Sequence, residues 1–217
     1  MPLERRYTLQ DDKKIDEELE KAANKLFDQV QKSYQNKNYW EAAIDLILIL
    51  DYYPNFSKIE EGLYYLAGSL YEMEMYDGAE QMYRYLLQTV KIPKLVAESV
   101  LGLQKVAYKK KEYQQSLKFY KVIESHYATH DLIYESRYYA VQTYCDLQNY
   151  DLVHNLIPHI KKKSDFYPFA IYTSGLAYLK KKTFVKPSMN CSKSTDSPRL
   201  ILTDKILSIQ LARRWDI

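Results

Sequence analysis

The spacing of one aromatic residue constrains the fold of this chain more than any other feature. Tyr76, Tyr113 and Tyr150 lie 37 residues apart, and Trp40 lies 36 residues before Tyr76. The residues three positions after these four aromatics are small or aliphatic: Ala43, Ala79, Ser116 and Val153. Apolar residues at steps of three and four precede and follow each aromatic. A period of this length is typical of a copied supersecondary unit, so each copy is predicted to be a pair of helices.

The composition agrees with helices joined by short turns. The 217 residues include only 5 Gly and 7 Pro, which is few for an all-β chain with many tight turns. Tyrosine is the outlier with 23 copies, and its ring suits half-buried helix faces because it joins apolar area to a polar tip. The two cysteines, Cys145 and Cys191, are far apart in the sequence and lie in different contexts, so they suggest neither a disulfide framework nor a zinc site.

The periodic pattern extends through residues 12–182, which we predict to form one repeat domain of about four and a half units. Helices are expected over residues 12–36 and 40–52, with Pro54 ending the second. Residues 1–11 are expected to be disordered. All 23 tyrosines precede residue 183, so residues 183–217 are predicted to be a divergent tail with a linker and a candidate helix.

The spacing within the units resembles the tetratricopeptide repeat (TPR), whose pattern is W-x2-L-G-x2-Y, then A-x3-F, then P. Ile171-x2-Ser174-Gly175-x2-Tyr178 is similar to the first-helix frame, and Ala79-x3-Tyr83 to the second. The resemblance implies an all-α protein, an α-solenoid of antiparallel helix pairs wound into a superhelix with a concave groove. The period of 36–37 exceeds the 34 of the family, and the additional residues are predicted to lie between the units.

A second periodic set follows the first helices. Glu61, Glu98 and Glu135 are also 37 residues apart. Three residues after them come Tyr64, Leu101 and Tyr138, and seven residues further come Tyr71, Tyr108 and Cys145. Steps of three and seven stay on one helix face. The resemblance implies that this face lines the concave groove, with Tyr172 close to the same frame. The candidate groove residues are Glu61, Tyr64, Tyr71, Glu98, Lys105, Tyr108, Lys109, Glu135, Tyr138 and Tyr172.

Such a groove suits an extended peptide or a partner helix, because tyrosines supply contact area while the charges set the register. We therefore expect a non-enzymatic protein-interaction module without a cofactor. The alternative for these tyrosines is packing between neighbouring repeats. An RNA-binding helical repeat and a structural scaffold are the alternative functions. The net charge of +3, from 31 basic and 28 acidic residues, argues against nucleic acid.

Other residue groups give weaker signals for chemistry. His126 and His130 are four residues apart beside Asp131, but a third metal ligand is missing nearby. Three lysine runs fall at predicted helix ends, where cations meet the negative end of the helix dipole. The first residues carry no secretory signal, and no apolar run is long enough to span a membrane. A cytoplasmic location is expected, or a periplasmic or envelope-associated one if the chain is a fragment.

Overall fold

The computed structural model describes residues 9–90 and 92–184. This part of the chain contains nine α-helices, a short 3-10 helix at Ile157–His159 and no strand. The helices are α1 (Leu9–Gln35), α2 (Tyr39–Tyr52), α3 (Ile59–Glu72), α4 (Tyr76–Thr89), α5 (Pro93–Lys109), α6 (Tyr113–His126), α7 (Leu132–Asp146), α8 (Tyr150–Leu156) and α9 (Tyr167–Phe184). The prediction of an all-α helical repeat is confirmed. The predictions for residues 1–8 and 185–217 lie outside the described residues, and α1 begins three residues before the predicted Asp12.

The turns after α1, α3, α5 and α7 are copies of one another. Each turn has three residues, and its middle residue has a left-handed backbone although it is not glycine. These residues are Lys37 (φ 63°), Glu74 (φ 62°), Lys111 (φ 63°) and Gln148 (φ 59°). The next amide donates to the carbonyl five residues earlier: Asn38 to Ser33 at 2.8 Å, Met75 to Leu70 at 2.9 Å, Glu112 to Ala107 at 2.8 Å and Asn149 to Tyr144 at 2.8 Å. This is the Schellman arrangement, which satisfies the last carbonyls of a helix.

The period is therefore 37 residues throughout. The start of the second helix in the first helix pair lies one residue earlier than the sequence-based assignment. Tyr39, not Trp40, begins α2, as Tyr76, Tyr113 and Tyr150 begin α4, α6 and α8. The residues three positions after these tyrosines are all fully buried: Ala42, Ala79, Ser116 and Val153. Trp40 was assigned to this position as the aromatic residue 36 positions before Tyr76, but the equivalent residue is its neighbour Tyr39, and Trp40 is 66% exposed.

The chain divides into two compact units, of which the first ends at Glu112. In this unit consecutive helices from α1 to α5 pack against one another, and the first helices of neighbouring pairs also touch. Phe27 of α1 is at the centre of the core, fully buried, with ring centroids of Phe56 at 5.6 Å and Tyr65 at 5.8 Å. Ala67 of α3 and Ala79 of α4 are both fully buried, and such small side chains allow two helices to approach closely.

The second unit begins at Tyr113 and contains α6 to α9 among its described residues. Here α7 packs against α6, α8 and α9, so first helices again lie side by side. The packed residues of α9 are Ala170, Thr173 and Ala177, which stand 37 residues after Ile133, Ser136 and Ala140 of α7. Ile171 and Tyr178, which the family pattern assigned to the packed side of α9, are 43% and 50% exposed. The packed positions of α9 therefore lie one residue earlier than predicted.

The repeat pattern predicts an apolar side chain at the position of Arg137 in α7, because Leu63 and Val100 occupy the equivalent positions of α3 and α5. Its guanidinium Nη1 donates to the carbonyl of His159, the last residue of the 3-10 helix. Pro158 interrupts the second helix of this pair, and the interruption frees backbone carbonyls that need donors. The polar residue therefore compensates for a short α8. Gln104, which stands where the repeat pattern predicts a small residue, is fully buried in α5.

Gly102 in α5 is expected to be intolerant of any side chain. A Cβ atom there would lie under 3.0 Å from three ring atoms of Tyr83, whereas a Cβ atom at Gly175 in α9 would meet nothing within 4 Å. Gly102→Ala should lower the free energy of unfolding by about 1–3 kcal/mol through overpacking. Gly175→Ala should raise it by up to about 1 kcal/mol, because alanine favours the helix. Thermal denaturation of both variants measures the two signs, and equal signs would contradict the packing.

Candidate peptide-binding faces

Helices α3 and α5 place two of the predicted glutamates on one side of the first unit. Glu61 is exposed in the first turn of α3, and Glu98 of α5 forms an ion pair with Lys94 at 3.8 Å. Burial raises the pKa of Glu98, and the negative charge of Glu61 adds to this effect while Lys94 opposes it. The two carboxylates are therefore close enough to repel, as expected when equivalent positions of neighbouring repeats face the same side.

The tyrosines of this face differ in how much surface they offer. Tyr64 is half-buried, with its ring centroid 6.1 Å from that of Tyr83 in α4. Tyr71 is only 8% exposed, and the Lys105 ammonium lies 5.1 Å from the centroid of its ring. Tyr71 was predicted to lie at the surface of a groove. In the structure its ring is buried beneath Lys105 and supports the ammonium group. Tyr64 and Lys105 keep part of their surface accessible.

The C-terminal end of α5 carries the remaining two candidates in the first unit. Tyr108 is half-buried, and Lys109 is exposed in the last turn, where its charge complements the helix dipole. Lys110 follows and binds Glu80 at 2.8 Å, Asp77 at 2.9 Å and Glu112 at 3.3 Å. Hydrogen bonds to these carboxylates, Glu80 first, raise the pKa of Lys110. This first lysine run is therefore partly neutralised within the fold.

Sequence reasoning missed an aromatic cluster at the C-terminal end of α1. Tyr34 stands 37 residues before Tyr71, so extending the period upstream would have found it. Its ring centroid is 5.3 Å from that of Tyr39 and 5.1 Å from that of Tyr65. Burial raises the pKa of Tyr34 to about 12, with a further increase from Glu72 and an opposing effect of Lys105. Lys105 therefore interacts electrostatically with Tyr34 and with Tyr71.

In the second unit the candidates lie on α7 and α9. Tyr138 stacks on Phe166 with centroids 5.8 Å apart and planes at 29°, and Gln142 donates a hydrogen bond to its hydroxyl. Burial raises the pKa of Tyr138 to about 12. Glu135 is half-buried, and Tyr172 is 38% exposed. Tyr138 therefore makes a packing contact before α9 while it stays half-buried, and its groove role remains a prediction. Tyr172 is the more exposed of the two tyrosines.

Residues with the potential for other chemistry are engaged in the structure. Cys145 is buried among apolar residues of α7 and α9, and burial raises the pKa of its thiol. The rings of Tyr127 and His130 form an edge contact at 5.7 Å, and Nδ1 of His126 lies 3.1 Å from the Val122 carbonyl. In the described ranges, no group of three or more His, Cys, Asp or Glu residues has the arrangement of a metal site. None of the helices described has the length and hydropathy needed to cross a bilayer.

No family model matches the chain, and a search of curated proteins finds no significant match. The class that the fold defines is therefore an all-α helical repeat, built from 37-residue helix pairs.

Proposed function

We propose that the chain is a non-enzymatic interaction module of the tetratricopeptide type, which binds a peptide or partner helix on its first-helix faces. The observation that carries the proposal is the α3–α5 face, where Lys105 over the Tyr71 ring lies on the same helices as two glutamates. Half-buried Tyr64 and Tyr108 lie on these helices as well. We further propose a cytoplasmic location.

The mixture of side chains fits a peptide better than a nucleic acid. Rigid, half-buried tyrosines give contact area at a small entropic cost, and they are enriched among the residues that dominate binding energies. Lys105 is a hydrogen-bond donor already oriented by an aromatic ring, which lowers the cost of ordering it on a ligand carboxylate or carbonyl. Glu61 and Glu98 on the same side would repel phosphates and attract basic side chains of a peptide.

The test is a direct comparison of partner binding by three proteins. The partner is first captured with the full chain, and its isolated peptide is then titrated by calorimetry. Tyr64→Ala with Tyr108→Ala should weaken binding at least tenfold, since each ring is expected to contribute about 1–2 kcal/mol. The control is Tyr85→Ala with Val122→Ala, which removes two exposed apolar side chains from second helices. The control should bind like the unchanged chain.

Two outcomes would count against the proposal. Equal binding by the Tyr64/Tyr108 variant, with circular dichroism unchanged, would remove the α3–α5 face as the site. Capture of RNA without a protein partner, with affinity falling steeply as salt increases, would support the alternative RNA-binding function instead. For the second unit, Tyr172→Ala is the matching probe, because Tyr172 is exposed and Tyr138 supports Phe166.

A further inference from the structure

Helix α2 has an apolar stripe on the side that faces away from the core. The stripe consists of five exposed residues: Trp40 (66% exposed), Ile44 (44%), Ile47 (48%), Leu48 (40%) and Tyr52 (68%). Relative to Trp40 the other four lie 4, 7, 8 and 12 residues further on, so all five form one continuous strip along the helix. Together they expose on the order of 500 Å² of largely apolar surface, the size at which patches begin to mark interaction sites.

The other repeats show that the fold does not require this stripe. Positions 37 and 74 residues after Ile44 hold Gln81 and Lys118, and those after Ile47 hold Arg84 and Lys121. Trp40 is likewise replaced by Asp77, Gln114 and Asp151 in the later units. Only the position of Leu48 is apolar in α4 and α6 as well, where it holds Tyr85 and Val122. Because equivalent helices fold with polar residues at the other positions compared, Trp40, Ile44 and Ile47 serve something other than the packing of a helix pair.

The charges around the stripe indicate what would cover it. Helix α2 contains Glu41, Asp45 and Asp51 but neither lysine nor arginine. Among the residues that the structure describes, no ion pair reaches these three carboxylates. Burial raises the pKa of Asp45, and the neighbouring charge of Glu41 raises it further. A ligand with basic residues beside an apolar stripe would relieve this repulsion, whereas a second copy of α2 or an anionic membrane would increase it.

We propose that the outward face of α2 is a second interaction surface, which binds an amphipathic helix with an apolar stripe flanked by basic residues. The apolar strip of the ligand would cover Trp40, Ile44 and Ile47, and its lysines or arginines would pair with Asp45 and Asp51. This surface is distinct from the α3–α5 face, because it lies on a second helix of the repeat.

The fluorescence of Trp40 gives a direct readout. The chain has two tryptophans, so the Trp215→Phe variant leaves Trp40 as the only one. The probe is an 18-residue peptide with leucines on one face and lysines beside them. Its addition should shift the Trp40 emission to shorter wavelength and saturate. The same peptide with glutamates in place of the lysines should bind at least tenfold more weakly.

Two variants test the two halves of the proposal. Ile44→Gln with Ile47→Arg gives α2 the outward residues of α4 and should weaken peptide binding at least tenfold. Asp45→Asn with Asp51→Asn should weaken it several-fold and flatten its salt dependence. The control, Lys118→Gln with Lys121→Arg, makes matching changes on α6 and should bind normally. Absence of binding, equal affinity for the acidic peptide, or insensitivity to both variants would overturn the proposal.

The other occupants have their own signatures. A dimer of the full chain in analytical ultracentrifugation that Ile44→Gln with Ile47→Arg dissociates would assign the stripe to a second copy. A Trp40 blue shift on anionic vesicles, in the absence of peptide, would assign it to a membrane surface. Either result would overturn the assignment to a basic partner helix.

Discussion

Replacing Phe27 with alanine is expected to lower the free energy of unfolding of the first unit by about 3–5 kcal/mol. Phe27 is fully buried, and it makes edge-on contacts with Phe56 and Tyr65 at centroid distances of 5.6 and 5.8 Å. Lys58 covers the ring at 5.6 Å while it donates to Asn24 at 2.9 Å. Truncation removes contacts with α3 and with the loop that precedes it, and it leaves a cavity that fixed helix axes cannot close. Urea denaturation followed by circular dichroism measures the loss.

Trp40→Ala is the matched control for this prediction. It removes a larger ring than Phe27→Ala does, but the Trp40 ring is 66% exposed. Its expected effect on stability is within about 0.5 kcal/mol, because surface substitutions without buried contacts rarely exceed that value. Similar losses for the two variants would contradict the assignment of Phe27 to the core and of Trp40 to the surface.

Four glycine substitutions at the turns are expected to stabilise the chain by about 2–4 kcal/mol in combination. Lys37, Glu74, Lys111 and Gln148 have left-handed backbones with φ between 59° and 63°. A residue with a Cβ atom pays about 1–2 kcal/mol for this conformation, and glycine does not. Part of the gain is lost because glycine makes the unfolded chain more flexible, so we expect about 0.5–1 kcal/mol for each turn.

A glycine substitution inside a helix tests whether the stabilisation depends on the left-handed backbone of the turn or would follow from glycine at any exposed position. Lys118→Gly, at an exposed position inside α6, should lower stability by about 1 kcal/mol because the backbone there is helical. Each turn variant should raise the denaturation midpoint of the unit that carries it. Destabilisation by Glu74→Gly, measured in the same urea series, would show that its backbone is not left-handed in solution.

The repeat itself was predictable from the sequence because its chemistry recurs. A tyrosine at the start of the second helix and a small residue three positions later fix where two helices approach, and both leave a readable period. The left-handed residue two positions before each tyrosine could not be read, because lysine, glutamate and glutamine give no turn signal. Backbone hydrogen bonds in the Schellman turn impose that conformation despite the residue type.

The register of the first helix pair and the two proposed interaction surfaces were harder to predict. The run Leu46–Leu50 has no polar side, so the sequence does not show which of its residues face the core. In the structure Leu46 and Ile49 are buried, whereas Ile47 and Leu48 are exposed. Periodicity assigned Tyr71 and Tyr108 the same surface role. Yet Tyr71 is buried beneath Lys105, because the depth of a side chain depends on its neighbours in other repeats and not on its own spacing. The period identifies equivalent positions in the repeats, but the packing of neighbouring repeats determines whether the side chain at each position is buried or exposed.

The central claim is that one helix pair, closed by a left-handed turn residue, recurs every 37 residues. Backbone chemical shifts of the full chain in solution, measured by triple-resonance NMR, test it most directly. The prediction is positive φ at Lys37, Glu74, Lys111 and Gln148, with helical shifts on both sides of each three-residue turn. Negative φ at these residues, or helical shifts running through the turns without a break, would contradict the repeat.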